Sequence, residues 1–342
     1  MSQISYRTFL LRLREIAKIA LENYGLEQIR PKFVNYSGNG LYQVIVPPRS
    51  SIPSGKYALR IHQPNYMKPE FIVSEMQWLS ALVDEGISVP TPIRNKEGDW
   101  LSVIDGGYEI PAKRNCTLLS WTEGRLLRQS IRPKHFYSLG KVIGRIHKQA
   151  RTWKPPQGFA RPHWDWEGLF GDGFDYGVPA ETVREAIPKK HQEAFKEVIG
   201  RVHEVEELLG KNREVYGLIH ADLAFGDNVA IQSGEAVPFD FDDCGFGFWM
   251  YDLSVALAHF ILDTGNFSSV MHDALIKGYE DVNTIEKESL KYLNLFIAAR
   301  FAQLMFFFQG AIIRYPQSKT EGMSEIKSNA KYLKLLLKRM NK

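Results

Sequence analysis

The stretch Leu218-Ile219-His220-Ala221-Asp222-Leu223-Ala224-Phe225-Gly226-Asp227-Asn228-Val229-Ala230-Ile231, with Val237-Pro238-Phe239-Asp240-Phe241 after it, restricts the possible folds most. It rings short apolar runs with one histidine, three aspartates and an asparagine. Val229–Ile231 and Val237–Phe239 read as strands, and the residues between them, Gln232-Ser233-Gly234-Glu235-Ala236, are rich in turn formers, so the pattern predicts a β-hairpin. With the turn centred near Gly234, Asn228 falls opposite Asp240, roughly 5 Å away between Cβ atoms. Two hard oxygen donors facing one point, with no cysteine or histidine pair beside them, suit magnesium, which keeps waters and takes further ligands from phosphates. Asp222, on the loop before the hairpin, would stand where it could take a proton from an attacking hydroxyl.

A chain of 342 residues is long enough for two lobes, each with its own core. The basic excess is small, 43 Lys and Arg against 39 Asp and Glu, and no basic tract interleaved with aromatics occurs, so nucleic acid is not the expected partner. Cys116 and Cys244 have no repeated pair spacing, which argues against a disulfide framework or a thiolate zinc site and fits a reducing cytoplasm. The first 26 residues lack a signal-peptide core; Phe9, Leu13, Ile16 and Ala20 instead trace a helical stripe. The run Leu293–Ile313 is the nearest approach to a membrane span. Asn294, Arg300, Gln303 and Gln309 interrupt it, so a buried helix is expected and no membrane.

Ahead of the hairpin, residues 29–46 read as two strands around Tyr36-Ser37-Gly38-Asn39-Gly40, whose glycines would let backbone approach a ligand. Lys56–His62 alternates as a strand. Ile72, Glu75, Met76 and Leu79 share one face of a following helix, which turns the Glu75 carboxylate toward the sheet. Further strands are read over Trp100–Ile104 and Cys116–Trp121, before the polar turn Thr122-Glu123-Gly124-Arg125. Beyond it the pattern is helical. Leu139, Val142, Ile143 and Ile146 form a stripe, an irregular aromatic-rich stretch runs from 154 to 177, a helix covers His191–Leu209, and more helices run from Asp252 to Leu337.

At His220-Ala221-Asp222, Asp240-Phe241-Asp242 and Tyr251-Asp252-Leu253-Ser254 the chain resembles the aminoglycoside phosphotransferase and choline kinase superfamily, the small-molecule branch of the protein-kinase fold. Homoserine-kinase-like and stress-response-kinase-like members are similar. The kinase loop runs His, any residue, Asp, four residues, Asn, then a hairpin into Asp-Phe-Gly. Here the counted position is Asp227 and the asparagine is Asn228; Asn228 keeps the hairpin register, with Asp227 as the alternative ligand.

The resemblance implies an α+β, two-lobed protein-kinase-like fold. A small antiparallel-sheet N-lobe would span 1–122, and a larger, mainly helical C-lobe 123–342. It also implies ATP-dependent phosphoryl transfer to a hydroxyl of a small molecule, with Mg2+. Asp222 would be the catalytic base, and Asn228 and Asp240 the metal ligands. Gly38, Asn39 and Gly40 would cover the nucleotide. Arg60, in the slot of the kinase lysine and with Lys56 as the alternative, would pair with Glu75; arginine there is not a conservative exchange. Ser120, Trp121 and Thr122 would hold the base as a hinge. A protein serine or threonine substrate and a nucleotide-binding pseudokinase are the other readings. His220 is read as an anchor of the loop, and Asp252 as either a helix N-cap or a brace for that loop.

Overall fold

A computed structural model of the chain describes residues 5–64, 66–105, 113–173 and 177–341. The 174–176 part of the irregular stretch, and the first four residues of the N-terminal reading, lie outside the described residues. The chain divides into two compact units, Met1–Glu123 with Pro155–Ala160, and Gly124–Lys154 with Arg161–Lys342. The return of 155–160 to the first unit is not foreseen by a single division at 122; there the Ala160 amide donates to Ser74 Oγ at 3.0 Å.

The first unit holds the helix α1 (Tyr6–Glu22), the strands β1 (Lys32–Ser37), β2 (Asn39–Val46) and β3 (Gly55–Ile61), the helix α2 (Pro69–Asp84), and β4 (Pro92–Ile93), β5 (Ser102–Ile104) and β6 (Arg114–Ser120). The strands form one sheet in the order β1-β2-β3-β6-β4, with β5 also on β6, and every pairing is antiparallel. Ser5 caps α1 by accepting the Thr8 amide. The helix lays Leu13, Ile16, Ala17, Ala20 and Leu21 into a core with Tyr42, Val44, Leu59 and Leu118. Because strand side chains alternate, Arg60 lies on the opposite face from Leu59 and Ile61. Helix α2 starts with Pro69 at a position where a missing N–H does no harm, and it buries Ile72, Glu75, Met76 and Leu79 as the face pattern requires. The turn read over Tyr36–Gly40 is tighter than expected. Ser37 pairs with Asn39, leaving Gly38 alone at the apex with φ +83°, and a Cβ on Gly40 would meet Leu13 and Ile61, so Gly40 faces the α1 core.

The second unit contains β7 (Arg125–Leu126), α3 (Pro133–Thr152), β8 (His163–Trp164), α4 (Trp166–Phe170), α5 (Ala180–Ala186), α6 (Lys189–Leu209), β9 (Tyr216–Ile219), β10 (Val229–Gln232) and β11 (Glu235–Pro238). It continues with β12 (Gly245–Phe248), α7 (Trp249–Thr264), α8 (Ser269–Glu280), α9 (Lys287–Leu290), α10 (Leu293–Arg314) and α11 (Lys319–Met340). Two small sheets, β11-β10-β7 and β8-β12-β9, carry the loops of interest. Helices α3 and α8 cross with backbones in contact: a Cβ on Gly140 would sit 2.0 Å from Leu275 O, and one on Gly278 2.0 Å from Tyr137 O. Helix α10, the long apolar run, is an internal helix with 67% of its most apolar window buried.

The β10–β11 hairpin exists, but its register differs from the expected one. Val229 pairs with Pro238 and Gln232 with Glu235, so the turn is the two residues Ser233-Gly234, with φ of 52° and 90°. Two positive φ values make the tight turn that matches strand twist. Centring the turn between these residues rather than on Gly234 moves the pairing by one. Asn228 therefore faces Phe239, whose amide donates to Asn228 O at 2.9 Å, and Asp240 lies one residue beyond the ladder. Asp240 itself has left-handed backbone, φ 64° and ψ 64°, which turns the chain out of the strand.

Candidate active site

In the second unit, β9 delivers His220, Ala221 and Asp222. Ala221 has φ +69°, a conformation a residue with a Cβ rarely adopts, so something must hold it. Asp252 does. Its Oδ1 accepts the Ala221 amide at 2.8 Å, and its Oδ2 accepts the His220 amide at 3.2 Å and His147 Nε2 at 2.9 Å. The N-cap reading of Asp252 fails because α7 already begins at Trp249; the brace is what the geometry shows. Burial pushes the Asp252 carboxyl up, but the His147 hydrogen bond and the neighbouring histidines and amide hold it below the usual range. Burial lowers His147 against the pull of Asp252, and the ring's Nδ1 meets Tyr279 Oη at 3.0 Å. His220, also lowered by burial, donates from Nε2 to Phe239 O at 3.1 Å, tying the loop to the end of the hairpin.

Asp222 and Asn228 come together. Asn228 Nδ2 donates to the Asp222 main-chain oxygen and, at 3.0 Å, to Asp222 Oδ2, while its Oδ1 accepts the Ala224 amide at 2.7 Å. Asn228 is 3% exposed. The Asp227 side chain is 69% exposed, and its nearest ion-pair partner is Arg128 at 3.9 Å. Between Asp222 and Asn228 the loop turns at Gly226, whose φ is +91°.

The structure adds residues that the sequence reading did not assign to this site. Arg300 Nη2, from the middle of α10, donates to Asp222 Oδ1, and lies 3.0 Å from His259 Nε2 on α7. Arg300 Nη1 donates to Gln303 Oε1 at 3.1 Å. In the sequence, Arg300 and Gln303 were visible only as polar breaks in an apolar helix. That break was the available signal. After β11, the turn through Phe241–Asp243 is clamped by Arg161, whose Nε and Nη2 donate to Cys244 O and Asp242 O at 2.5 Å each, and by Trp164 Nε1, which donates to Asp243 O at 2.6 Å.

The donor set bears on a metal ion. An amide oxygen has two lone pairs, and Asn228 Oδ1 uses one on Ala224 N. Asp240 is exposed at its turn. Among the described residues no three His, Cys, Asp or Glu side chains form a metal cage. The remaining lone pair of Asn228 Oδ1 is a donor of the kind taken by a hard cation that completes its shell from phosphates and water.

In the first unit, Arg60 Nη1 donates to Glu75 Oε1 at 2.8 Å and Oε2 at 3.1 Å, a pair in which both residues are buried. Lys56 instead meets Glu123 at the surface, at 2.7 Å. Asn39 Oδ1 accepts the Gln63 amide at 2.9 Å, and Gly38 remains the only tip of its hairpin. Of the three hinge candidates, Ser120 donates its amide to Thr91 O and Trp121 donates its amide to Lys56 O, so both amides belong to the sheet. Thr122 follows as the first residue past these bonds.

Known proteins similar to this chain are small-molecule kinases. Amicoumacin kinase of Bacillus subtilis (strain 168) is 25% identical over 298 residues, covering 82% of this chain and 80% of that protein. The solved structure of a microcompartment-associated aminopropanol kinase superposes with a TM-score of 0.78 at 25% identity, over 95% of this chain and 98% of its own. That of an amicoumacin kinase in complex with AMP-PNP, Ca2+ and Ami does so with a TM-score of 0.75 at 20% identity, over 96% of each chain. Both share the fold of an antiparallel-sheet N-terminal region and a helical C-terminal region. The family model described as "Phosphotransferase enzyme family" matches residues 44–287, well over half the chain, and this protein accordingly belongs to that family, as a phosphotransferase with an alcohol group as acceptor.

Proposed function

We propose that the chain is an ATP-dependent kinase that transfers the γ-phosphoryl group to a hydroxyl of a small molecule, with amino alcohols as the first acceptor class. The likeness to an aminopropanol kinase and an amicoumacin kinase supports the acceptor class. The observation that carries the reading is the Asp222–Asn228 contact, on a loop whose backbone is held by the buried Asp252. In this reading the acceptor oxygen bonds to the γ-phosphorus, the bond from that phosphorus to the diphosphate oxygen breaks, and the hydroxyl proton passes to Asp222. Asn228 Oδ1 and Asp240 would hold Mg2+, which when bound neutralises phosphate charge. Arg60, braced by Glu75, would engage the nucleotide's phosphates, with Gly38 and Thr122 the backbone positions that remain suited to the nucleotide. A cytoplasmic location belongs to the same proposal and is in keeping with two buried cysteine thiols that are not joined in a disulfide.

The test is ADP release by the purified protein with ATP and Mg2+ against alcohols, amino alcohols, aminoglycosides and generic protein acceptors. Acceptor-dependent turnover with an amino alcohol is expected, and Asp222→Asn should lower it by about 10²–10⁴-fold while nucleotide binding persists. Phosphorylation of protein acceptors alone, or full turnover by Asp222→Asn, overturns the reading.

A further inference from the structure

The loop from His220 to Asn228 contains no lysine or arginine. Asp222 nevertheless has a full positive charge in contact with it. Arg300, 8% exposed within a mainly apolar helix, donates from Nη2 to Oδ1. A guanidinium nitrogen of this kind carries two hydrogens, and the second reaches His259 Nε2 at 3.0 Å, while Nη1 is tied to Gln303. The side chain is thereby fixed at both of its terminal nitrogens. His259 Nε2 accepts, so its ring is neutral with the proton on Nδ1. Burial and the Arg300 charge push this imidazole down to about 4, against the pull of Asp222. The Asp222 side chain is 33% exposed, and its Oδ2 takes one hydrogen bond, from Asn228.

We propose that Arg300 is the positioning residue for the Asp222 carboxylate: it pins Oδ1 from α10 and presents Oδ2 to the acceptor hydroxyl. The inference rests on the reading of Asp222 as the proton acceptor. A purely structural ion pair would have no need of a carboxylate that remains one-third open to solvent. Nor would it explain a neutral histidine placed so that it takes the second guanidinium hydrogen and leaves the carboxylate its charge. The loop supplies the base, and a helix 78 residues further on supplies its orientation.

Two measurements test this, one of them without substrate. First, the His259 ring is titrated by NMR in the wild type and in Arg300→Met. The midpoint is expected to rise by about one pH unit or more once the adjacent guanidinium is gone, leaving Asp222 as the charged group facing it. An unchanged midpoint means that Arg300 does not sit between these side chains in solution, and overturns the proposal. Second, kinetics are measured with the amino alcohol found active in the panel. Arg300→Met should lower kcat by about 10²-fold with acceptor KM nearly unchanged, and added guanidinium ion should restore part of it. Arg300→Lys, which keeps the charge and the fold should Met prove too disruptive, should lower kcat by about tenfold. A rise in KM at constant kcat in either variant would make Arg300 an acceptor contact and end the positioning role. Asp222→Asn separates the failures: if that variant turns over normally, the base assignment has failed, whereas a dead Asp222→Asn beside a fully active Arg300→Met sinks only this inference.

Discussion

Asp222 lies on the 220–228 loop and Asp252 braces that loop from α7, and both carboxylates accept hydrogen bonds on each of their oxygens. Asp252 is 0% exposed, and its two oxygens accept two main-chain amides and a histidine. Asp222 is one-third open, and its partners are side chains, Arg300 on one oxygen and Asn228 on the other. Main-chain donors hold a shape, because losing their acceptor strands them in the interior. Side-chain donors hold an orientation and leave the carboxylate able to meet a ligand. The same residue type therefore serves the loop's conformation in one place and offers a reactive group in the other, and the difference lies in what donates and how much water can reach it.

The largest effect expected from this contrast is on turnover at Asp222. Asparagine keeps the shape and loses the proton acceptor, so kcat falls by about 10²–10⁴-fold. The second effect is on stability at Asp252. Asp252→Ala leaves the His220 amide, the Ala221 amide and His147 Nε2 buried without an acceptor. At roughly 1–3 kcal/mol each, the loss is several kcal/mol. For a unit of this size the melting temperature should drop by roughly 10 °C. Calorimetry of the two variants side by side breaks the comparison if Asp252→Ala melts with the wild type, or if Asp222→Asn is the less stable of the two.

The pH dependence sharpens it further. His147, His220 and His259 all have folded pKa values below the ordinary histidine value, burial being the first cause in each. Below about pH 6.5 the unfolded chain binds protons that these rings do not, so stability rises with pH through this window and is lost as the pH falls from about 6.5 toward the folded values. His259, with its folded value near 4, can contribute at most roughly 3 kcal/mol to this loss. Urea midpoints at pH 5 and 7.5 should show it, and His259→Gln should flatten the slope by about one proton. A slope that is the same in His259→Gln as in the wild type would mean that this ring is charged in the folded state.

What the sequence made legible, and what it hid, follows from how far apart the partners lie along the chain. Arg60 and Glu75 could be paired in advance because the helix-face pattern of Ile72, Glu75, Met76 and Leu79 aims the glutamate at a strand 15 residues earlier. The hairpin was legible because apolar runs flank turn residues. Its register was not, since the choice between a turn centred on Gly234 and one centred between Ser233 and Gly234 depends on backbone angles rather than on composition. Arg300 reaches Asp222 across 78 residues and three intervening helices, and no local periodicity records such a contact. Asp252 stayed open between cap and brace because the start of α7 at Trp249 lies inside an apolar run with no capping residue to announce it.

Asp227 should show the smallest effect, and it tests the same rule from the other side. It occupies the counted kinase position, five residues after Asp222, whereas Asn228 occupies the position that makes contact. If openness and side-chain donors alone marked a reactive carboxylate, Asp227 would qualify, being more exposed than Asp222. It lacks the fixed donor: its partner Arg128 is 78% exposed and 3.9 Å away, a surface pair of little energetic weight. Asp227→Asn should therefore keep stability within about 0.5 kcal/mol and kcat within about threefold. Asn228→Ala, which removes the amide bridging Ala224 and Asp222, should raise the Mg2+ concentration needed for half-maximal turnover and lower kcat together. If the magnesium requirement instead moves with Asp227→Asn, the metal ligand lies at the counted position, and the contact between Asn228 and Asp222 serves only the shape of the loop.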